Sequence, residues 1–180
     1  MTDKPALRAK LRAARDGIAS ETSFTPATLH PFLQRLTPRT VVASYIAMGG
    51  EADPAALVGA ALAAGARLAL PHVTSRAAPL RFLAWPGDAA LVRGPLGLRQ
   101  PAADLPELTP AIIIAPLIGF DRRGNRLGQG AGHYDRAFAA HPEAWRVGVA
   151  WSVQEVEALP ADPWDVPLHA IVTEKEWIIP

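Results

Sequence analysis

The chain has no cysteine in 180 residues, which excludes structural disulfides, thiolate metal sites and a cysteine nucleophile. Aromatic residues are sparse, at 7%. Charge of one sign is also lacking: 18 Lys and Arg stand against 17 Asp and Glu, a net +1. No broad field is available to hold a nucleic acid or an anionic membrane, so any anion site must be built locally. Apolar runs fall short of the roughly 18 residues that span a bilayer, and the N-terminal stretch lacks the apolar core of a secretory signal. Asp3 and Asp16 flank the Arg-rich residues 4–15, favouring a helix of the mature protein over a transit peptide. The expectation is a cytoplasmic protein without membrane, nucleic-acid or obligate protein partners.

Apolar residues make up 49% of the chain, enough for one domain over residues 1–180 with a sizeable core. Leu7, Leu11, Ala14 and Ile18 share a helical face with Lys4, Arg8, Arg12 and Arg15 beside it, so residues 3–19 read as an amphipathic helix. Thr25-Pro26 reads as the start of a second helix burying Leu29, Phe32, Leu33 and Leu36. Residues 41–47 read as a strand, and Asp53-Pro54 opens an Ala- and Leu-rich helix closed by Gly65. Further strands are expected at 67–71, 80–85, 111–115 and 146–151, with a helix over 134–140. The run Ala111-Ile-Ile-Ile-Ala115 carries no polar residue and should be central, buried on both faces. This alternation predicts an α/β fold, a mostly parallel central sheet flanked by helices, with ligands at the carboxyl ends of the strands. Residues 86–110 lose periodicity and read as a long, substrate-facing connection. Phe82 and Trp85 read as core rather than as a stacking platform.

Residues 116–135 carry the chemistry. Gly128, Gly130 and Gly132 alternate along the chain, leaving backbone N–H groups free to approach an anion or to adopt positive φ. The stretch lacks the Gly-x4-Gly-Lys-Ser/Thr of a P-loop and the third glycine of a dinucleotide fingerprint. Arg126 offers a planar fork for phosphate and Asp135 a hard oxygen for Mg2+, so the set suits a metal-bound polyphosphate. The same residues also suit a tight turn with Asp135 facing a helix dipole and Arg126 solvated. Asp53 reads as a cap rather than a ligand.

Arg126-Leu-Gly-Gln-Gly-Ala-Gly-His-Tyr-Asp135 closely resembles the Arg-Leu-Gly-x-Gly-x-Gly-Tyr-Tyr-Asp signature of the 5-formyltetrahydrofolate cyclo-ligase family. Lys4-Pro-Ala-Leu-Arg8 is similar to its N-terminal Lys-x-x-Leu-Arg, residues 44–53 to its strand-then-Glu segment, and residues 164–173 to its C-terminal motif. The resemblance implies a fold like that of ribose-5-phosphate isomerase and CoA-transferase domains. It also implies an ATP- and Mg2+-dependent closure of 5-formyltetrahydrofolate to 5,10-methenyltetrahydrofolate, by phosphorylation of the formyl oxygen and attack by N10. Carried over residue by residue, Lys4, Pro5, Ala6, Leu7 and Arg8 would hold ATP. So would Arg126, Leu127, Gly128, Gln129, Gly130, Ala131, Gly132, His133 and Tyr134. Ile46 and Glu51 would contact the folate, Asp135 and Asp165 would hold Mg2+, and Arg126, His133 and Tyr134 would act in catalysis. His133 stands where the signature has a first tyrosine, which makes that position titratable near neutrality. Gln129 and Ala131 add no charge, so the loop should rely on backbone donors and Arg126. Two other readings remain: a non-catalytic nucleotide sensor or RNA-binding regulator, and a sugar-phosphate isomerase or CoA transferase of the same fold.

Overall fold

The apolar run becomes β6 (Ile112–Pro116), the middle strand of a seven-stranded sheet in the computed structural model, which describes residues 3–87 and 89–180. Ile112, Ile113, Ile114 and Ala115 are no more than 2% exposed. Successive side chains leave opposite faces. Ile113 and Ala115 therefore join one core layer with Phe138, while Ile112 and Ile114 join another with Phe32, Leu57 and Trp151.

The chain begins with α1 (Lys4–Ala19) and α2 (His30–Leu33), then β1 (Val41–Ala43), α3 (Ala55–Ala63), β2 (Arg67–His72) and β3 (Arg81–Ala84). A small hairpin, β4 (Val92–Arg93) and β5 (Arg99–Gln100), precedes β6. A second hairpin, β7 (Gly119–Phe120) and β8 (Arg126–Leu127), leads to α4 (His133–Ala140), β9 (Trp145–Val149), β10 (Ala170–Val172) and β11 (Trp177–Ile178). The sheet order is β11-β10-β9-β6-β1-β2-β3. Strands β2, β1, β6, β9 and β10 are mutually parallel, and β3 and β11 pair antiparallel at the edges. Phe138 of α4 covers one face of the sheet; Phe32 of α2 and Leu57 of α3 cover the other. The α1 helix packs through Leu7 and Leu11 against Ile118, Leu127 and Leu159, and at its C-terminal end through Ile18 and Ala19 against the Phe32 layer.

Several expectations change. No helix starts at Thr25-Pro26: the Ala27 N–H donates instead to the Thr173 carbonyl at 3.0 Å, and Thr28 Oγ1 accepts from the His30 N–H at 3.2 Å. The helix is thus only four residues, and Leu33 is 47% exposed rather than buried. The first strand stops at Ala43, so Tyr45 and Ile46 leave the sheet into a cleft. On α1, Ala14 is exposed and Arg15 takes the inward place. The segment 86–110, apart from Asp88, which lies outside the described residues, carries the β4–β5 hairpin; buried Gln100 bonds Val73 N–H and C=O at 3.0 and 3.2 Å. Strands β10 and β11 carry no counterpart in the sequence reading. Phe82 is core in the Phe138 layer, and Trp85, partly buried, packs against the opposite layer that holds Phe32 and Leu57. Asp53 Oδ1 accepts from the Ala55 N–H at 3.0 Å, as a cap would.

The hairpin that launches the glycine loop is tied by Asp121, which is fully buried. Its oxygens accept from Arg123 N–H at 3.0 Å, Asn125 N–H at 3.2 Å, Asn125 Nδ2 at 2.9 Å and Leu159 N–H at 2.9 Å. Burial alone would raise its carboxyl, but these donors outweigh it and hold it below the usual carboxylate range. Its contribution is therefore complete above about pH 4 and lost as pH falls through the lowered folded value. Asp121→Ala should lower stability by roughly 2–3 kcal/mol in urea unfolding at pH 7, by leaving buried donors unpaired. The gap to the parent should narrow below about pH 4. An unchanged midpoint at pH 7 would remove Asp121 from this role.

Candidate active site

The parallel strands end on one side of the sheet, and there a cavity of about 920 Å3 opens between α1, the residues after β1 and β6, and the glycine loop. That volume is near the top of the range of roughly 300–1,000 Å3 typical of small-molecule sites. Residues at helical spacing face it from α1. Lys4 Nζ pairs with Asp162 Oδ2 at 2.6 Å and with Asp165 Oδ2 at 3.6 Å. Arg8 Nε donates to the Gly128 carbonyl at 2.8 Å, and Arg12 Nη2 donates to Gln129 Oε1. The charge that Gln129 and Ala131 do not supply to the loop thus reaches it from α1. Pro5, Ala6 and Leu7 do not face the cavity, because only every third or fourth helical residue shares one side; Pro5 and Ala6 are exposed and Leu7 packs beside Leu11.

The glycines serve two different needs. Gly130 and Gly132 have φ of +97° and +66°, a region that penalises side chains. A Cβ on Gly128 would lie 2.7 Å from Arg126 Nη1. Arg126 needs that space because it is held inward: its side chain is 5% exposed, and Nη2 pairs with Asp135 Oδ1 at 2.8 Å. Its Cζ sits 5.7 Å from the Tyr134 ring centre and 5.4 Å from that of Phe138. Its Nε is buried and unpartnered among the described residues. Arg126 is accordingly neither solvated nor loose, and Asp135 orients it.

His133 opens α4. Arg136 Nη2 lies 3.2 Å from His133 Nδ1; a guanidinium can only donate, so Nδ1 accepts and the proton belongs on Nε2. Burial, then the charges of Arg136 and Arg76, hold the imidazole below its ordinary value. Farther along the wall, Glu51 Oε2 accepts from the Met48 N–H at 3.0 Å. Burial raises its carboxyl, opposed by that N–H and by the Arg15 charge. Tyr45, buried, donates its hydroxyl to the Ala52 carbonyl, and burial raises its pKa. Tyr134 is likewise raised, first by burial and then by Glu51. Ile46, 38% exposed, completes this end.

The sequence reading missed Asp162, Arg12 and Arg15 as parts of the site. The two arginines were legible as the 4, 8, 12, 15 series; Asp162, in a segment without periodicity, carried no signal. Among the described residues no group of three or more His, Asp or Glu side chains gathers as a metal cage. Asp135 and Asp165 both line the cavity, each with one oxygen engaged, by Arg126 and by Lys4 with the Asp162 N–H.

A model of the 5-formyltetrahydrofolate cyclo-ligase family matches residues 1–174. The 5-formyltetrahydrofolate cyclo-ligase of Escherichia coli (strain K12) is 38% identical over 145 residues, covering 76% of this chain and 79% of the relative. That of Haemophilus influenzae is 32% identical over 178 residues, covering 92% and 91%. Among solved structures, the Aquifex aeolicus 5,10-methenyltetrahydrofolate synthetase superposes with a TM-score of 0.75 at 29% identity, covering 98% of this chain and 92% of that one.

The environment of His133 has a pH consequence. A lowered folded value means that folding favours the neutral imidazole; its contribution is complete above the unfolded value of about 6.5 and is lost as pH falls through the lower folded one. The His133 ring resonances should therefore titrate with a midpoint below 6.5 by NMR. A midpoint at or above 6.5 would contradict the Arg136 and Arg76 environment.

Proposed function

The chain belongs to the 5-formyltetrahydrofolate cyclo-ligase family, and we propose that this cleft is where it closes 5-formyltetrahydrofolate to 5,10-methenyltetrahydrofolate with ATP, releasing ADP and phosphate. The observation that carries the placement is the convergence of α1 and the glycine loop on one cavity whose two ends differ. At 1.5 Å per residue, α1 rises about 16 Å from Lys4 to Arg15. Lys4 meets Asp162 and Asp165 at one end, and Arg15 lies near Glu51 at the other. A nucleotide along Lys4, Arg8 and the loop, with folate at Glu51 and Ile46, would meet it end to end, the terminal phosphate turned toward the formyl group.

The formyl oxygen is a poor leaving group. Its attack on the terminal phosphorus expels ADP and gives an iminium phosphate; N10 then adds to the activated carbon, phosphate departs with the original formyl oxygen, and the N10 proton is lost. No protein nucleophile is needed, only alignment and offset of charge on the phosphoryl group. Arg126, fixed by Asp135 before any ligand arrives, would meet that charge without reorganisation, helped by the N–H groups of residues 128–132. Tyr134 lies beside Arg126 and is influenced by the Glu51 charge; its desolvated hydroxyl keeps its proton and can donate to an oxygen. Neutral His133 would donate from Nε2.

A divalent ion fits the donor set: Asp135 and Asp165 each keep an oxygen beyond the one engaged, and Mg2+ is commonly held by one or two carboxylates with phosphate and water. Bound there, Mg2+ would neutralise phosphate charge. The zero-cysteine composition supports a cytoplasmic setting.

Product absorbance, at longer wavelength than the substrate's, should appear with 5-formyltetrahydrofolate only when ATP is present; a sensor, isomerase or CoA transferase would give none. Asp135→Asn and Asp165→Asn should each raise the Mg2+ needed for half-maximal rate by roughly tenfold, about 1.4 kcal/mol. Unchanged Mg2+ dependence in both would remove the metal assignment. Glu51→Gln should raise the folate KM while leaving that of ATP near the parent value; equal effects on both would deny Glu51 its folate role.

A further inference from the structure

Arg15 marks the Glu51 end of the cleft in the reading above but has no ligand assigned to it there, yet it is the most enclosed cation of α1, 6% exposed and on the cavity wall. Asp16 Oδ1 accepts from its Nε at 2.9 Å and from its Nη2 at 2.9 Å. The third nitrogen, Nη1, is buried and has no partner among the described residues. Asp16 itself occupies space opened by Gly50, where a Cβ would fall 2.4 Å from Oδ1. The guanidinium cannot lose its charge at working pH, so an open N–H2 in a buried place is a standing cost unless a ligand completes it. Local violations of this sort gather at functional sites. Arg15 acts electrostatically on both Glu51 and Tyr45, which puts its charge at the folate end of the cleft.

We propose that Arg15 determines substrate binding: Nη1 donates to the carbonyl oxygen of the folate's pteridine ring, while Glu51 accepts from N–H groups on the same edge. This rests on folate occupying the Glu51 end. That edge of the ring presents an acceptor beside donors, and a guanidinium next to a carboxylate is its complement; either group alone would read half of it. Asp16 and the bare Gly50 hold the guanidinium so that one corner stays open.

The test is equilibrium binding of 5-formyltetrahydrofolate and, separately, of ATP to the parent and to Arg15→Met and Arg15→Lys, by calorimetry with thermal midpoints. Arg15→Met roughly keeps the volume, removes the open N–H2 and leaves Asp16, whose side chain is 57% exposed, to pair with water, so its midpoint should stay near the parent's. Its folate Kd should rise at least about tenfold, with the ATP Kd within about twofold. Arg15→Lys should also weaken folate, because a point ammonium lacks the fork. A folate Kd within twofold of the parent in both variants overturns the proposal, and so does a loss confined to ATP, which would put Nη1 on a phosphate. Should Arg15→Met unfold, the parent decides: the Arg15 guanidinium nitrogen resonances must shift on adding 5-formyltetrahydrofolate, and an unshifted signal overturns the proposal. Failure of the parent to form the ATP-dependent product would instead sink the functional reading itself.

Discussion

A strand with no polar side chain, Ile112–Pro116, has to be covered on both faces, and the architecture answers that requirement. Parallel neighbours on either side satisfy its backbone, α4 closes one face, and α2 with α3 closes the other. Because its parallel partners end on the same side, the segments that follow β1 and β6 emerge together. The hairpin after β6, tied by Asp121, then carries Arg126 and the glycines across the carboxyl ends of the strands. The position of the cleft thus follows from where an apolar strand must lie.

A protein with a net charge of +1 builds its anion-binding surface by concentrating cations on one helix and one loop. The α1 series Lys4, Arg8, Arg12 and Arg15 reaches in from one side, and Arg126 is held on the other. Each of these five cations already has a fixed oxygen: Asp162, the Gly128 carbonyl, Gln129, Asp16 and Asp135 in turn. Such pairing limits repulsion among them and sets their directions before a ligand arrives, the arrangement that favours charge development in a transferring phosphoryl group. Among the described residues, one nitrogen each of Arg15, Arg126, His133 and Arg136 is buried without a partner.

Much of this was readable in residue order. The central strand, the α3 unit with Asp53 and Gly65 at its ends, the glycine loop and the basic series on α1 each carry a local physical signature. Ala14 and Arg15 show the limit: helical periodicity narrows the inward face to a few candidates, but which one is buried depends on what lies opposite. At Thr25-Pro26 a sound local start signal gave way to a bond with Thr173, a residue far along the chain. The short strands β10 and β11 have too few residues for a period to show.

Residue order alone determined the class of fold, the loop that can approach an anion and the family to which the chain belongs, because apolar runs, glycine spacing and motif identity are properties of neighbours in sequence. Tertiary structure alone decided the partners: that Asp135 orients Arg126, that Asp162 meets Lys4, and that Arg15 lies inward near Glu51. Those pairings join residues on separate elements, and charge, burial and open hydrogen-bonding capacity acquire values only once the elements have packed.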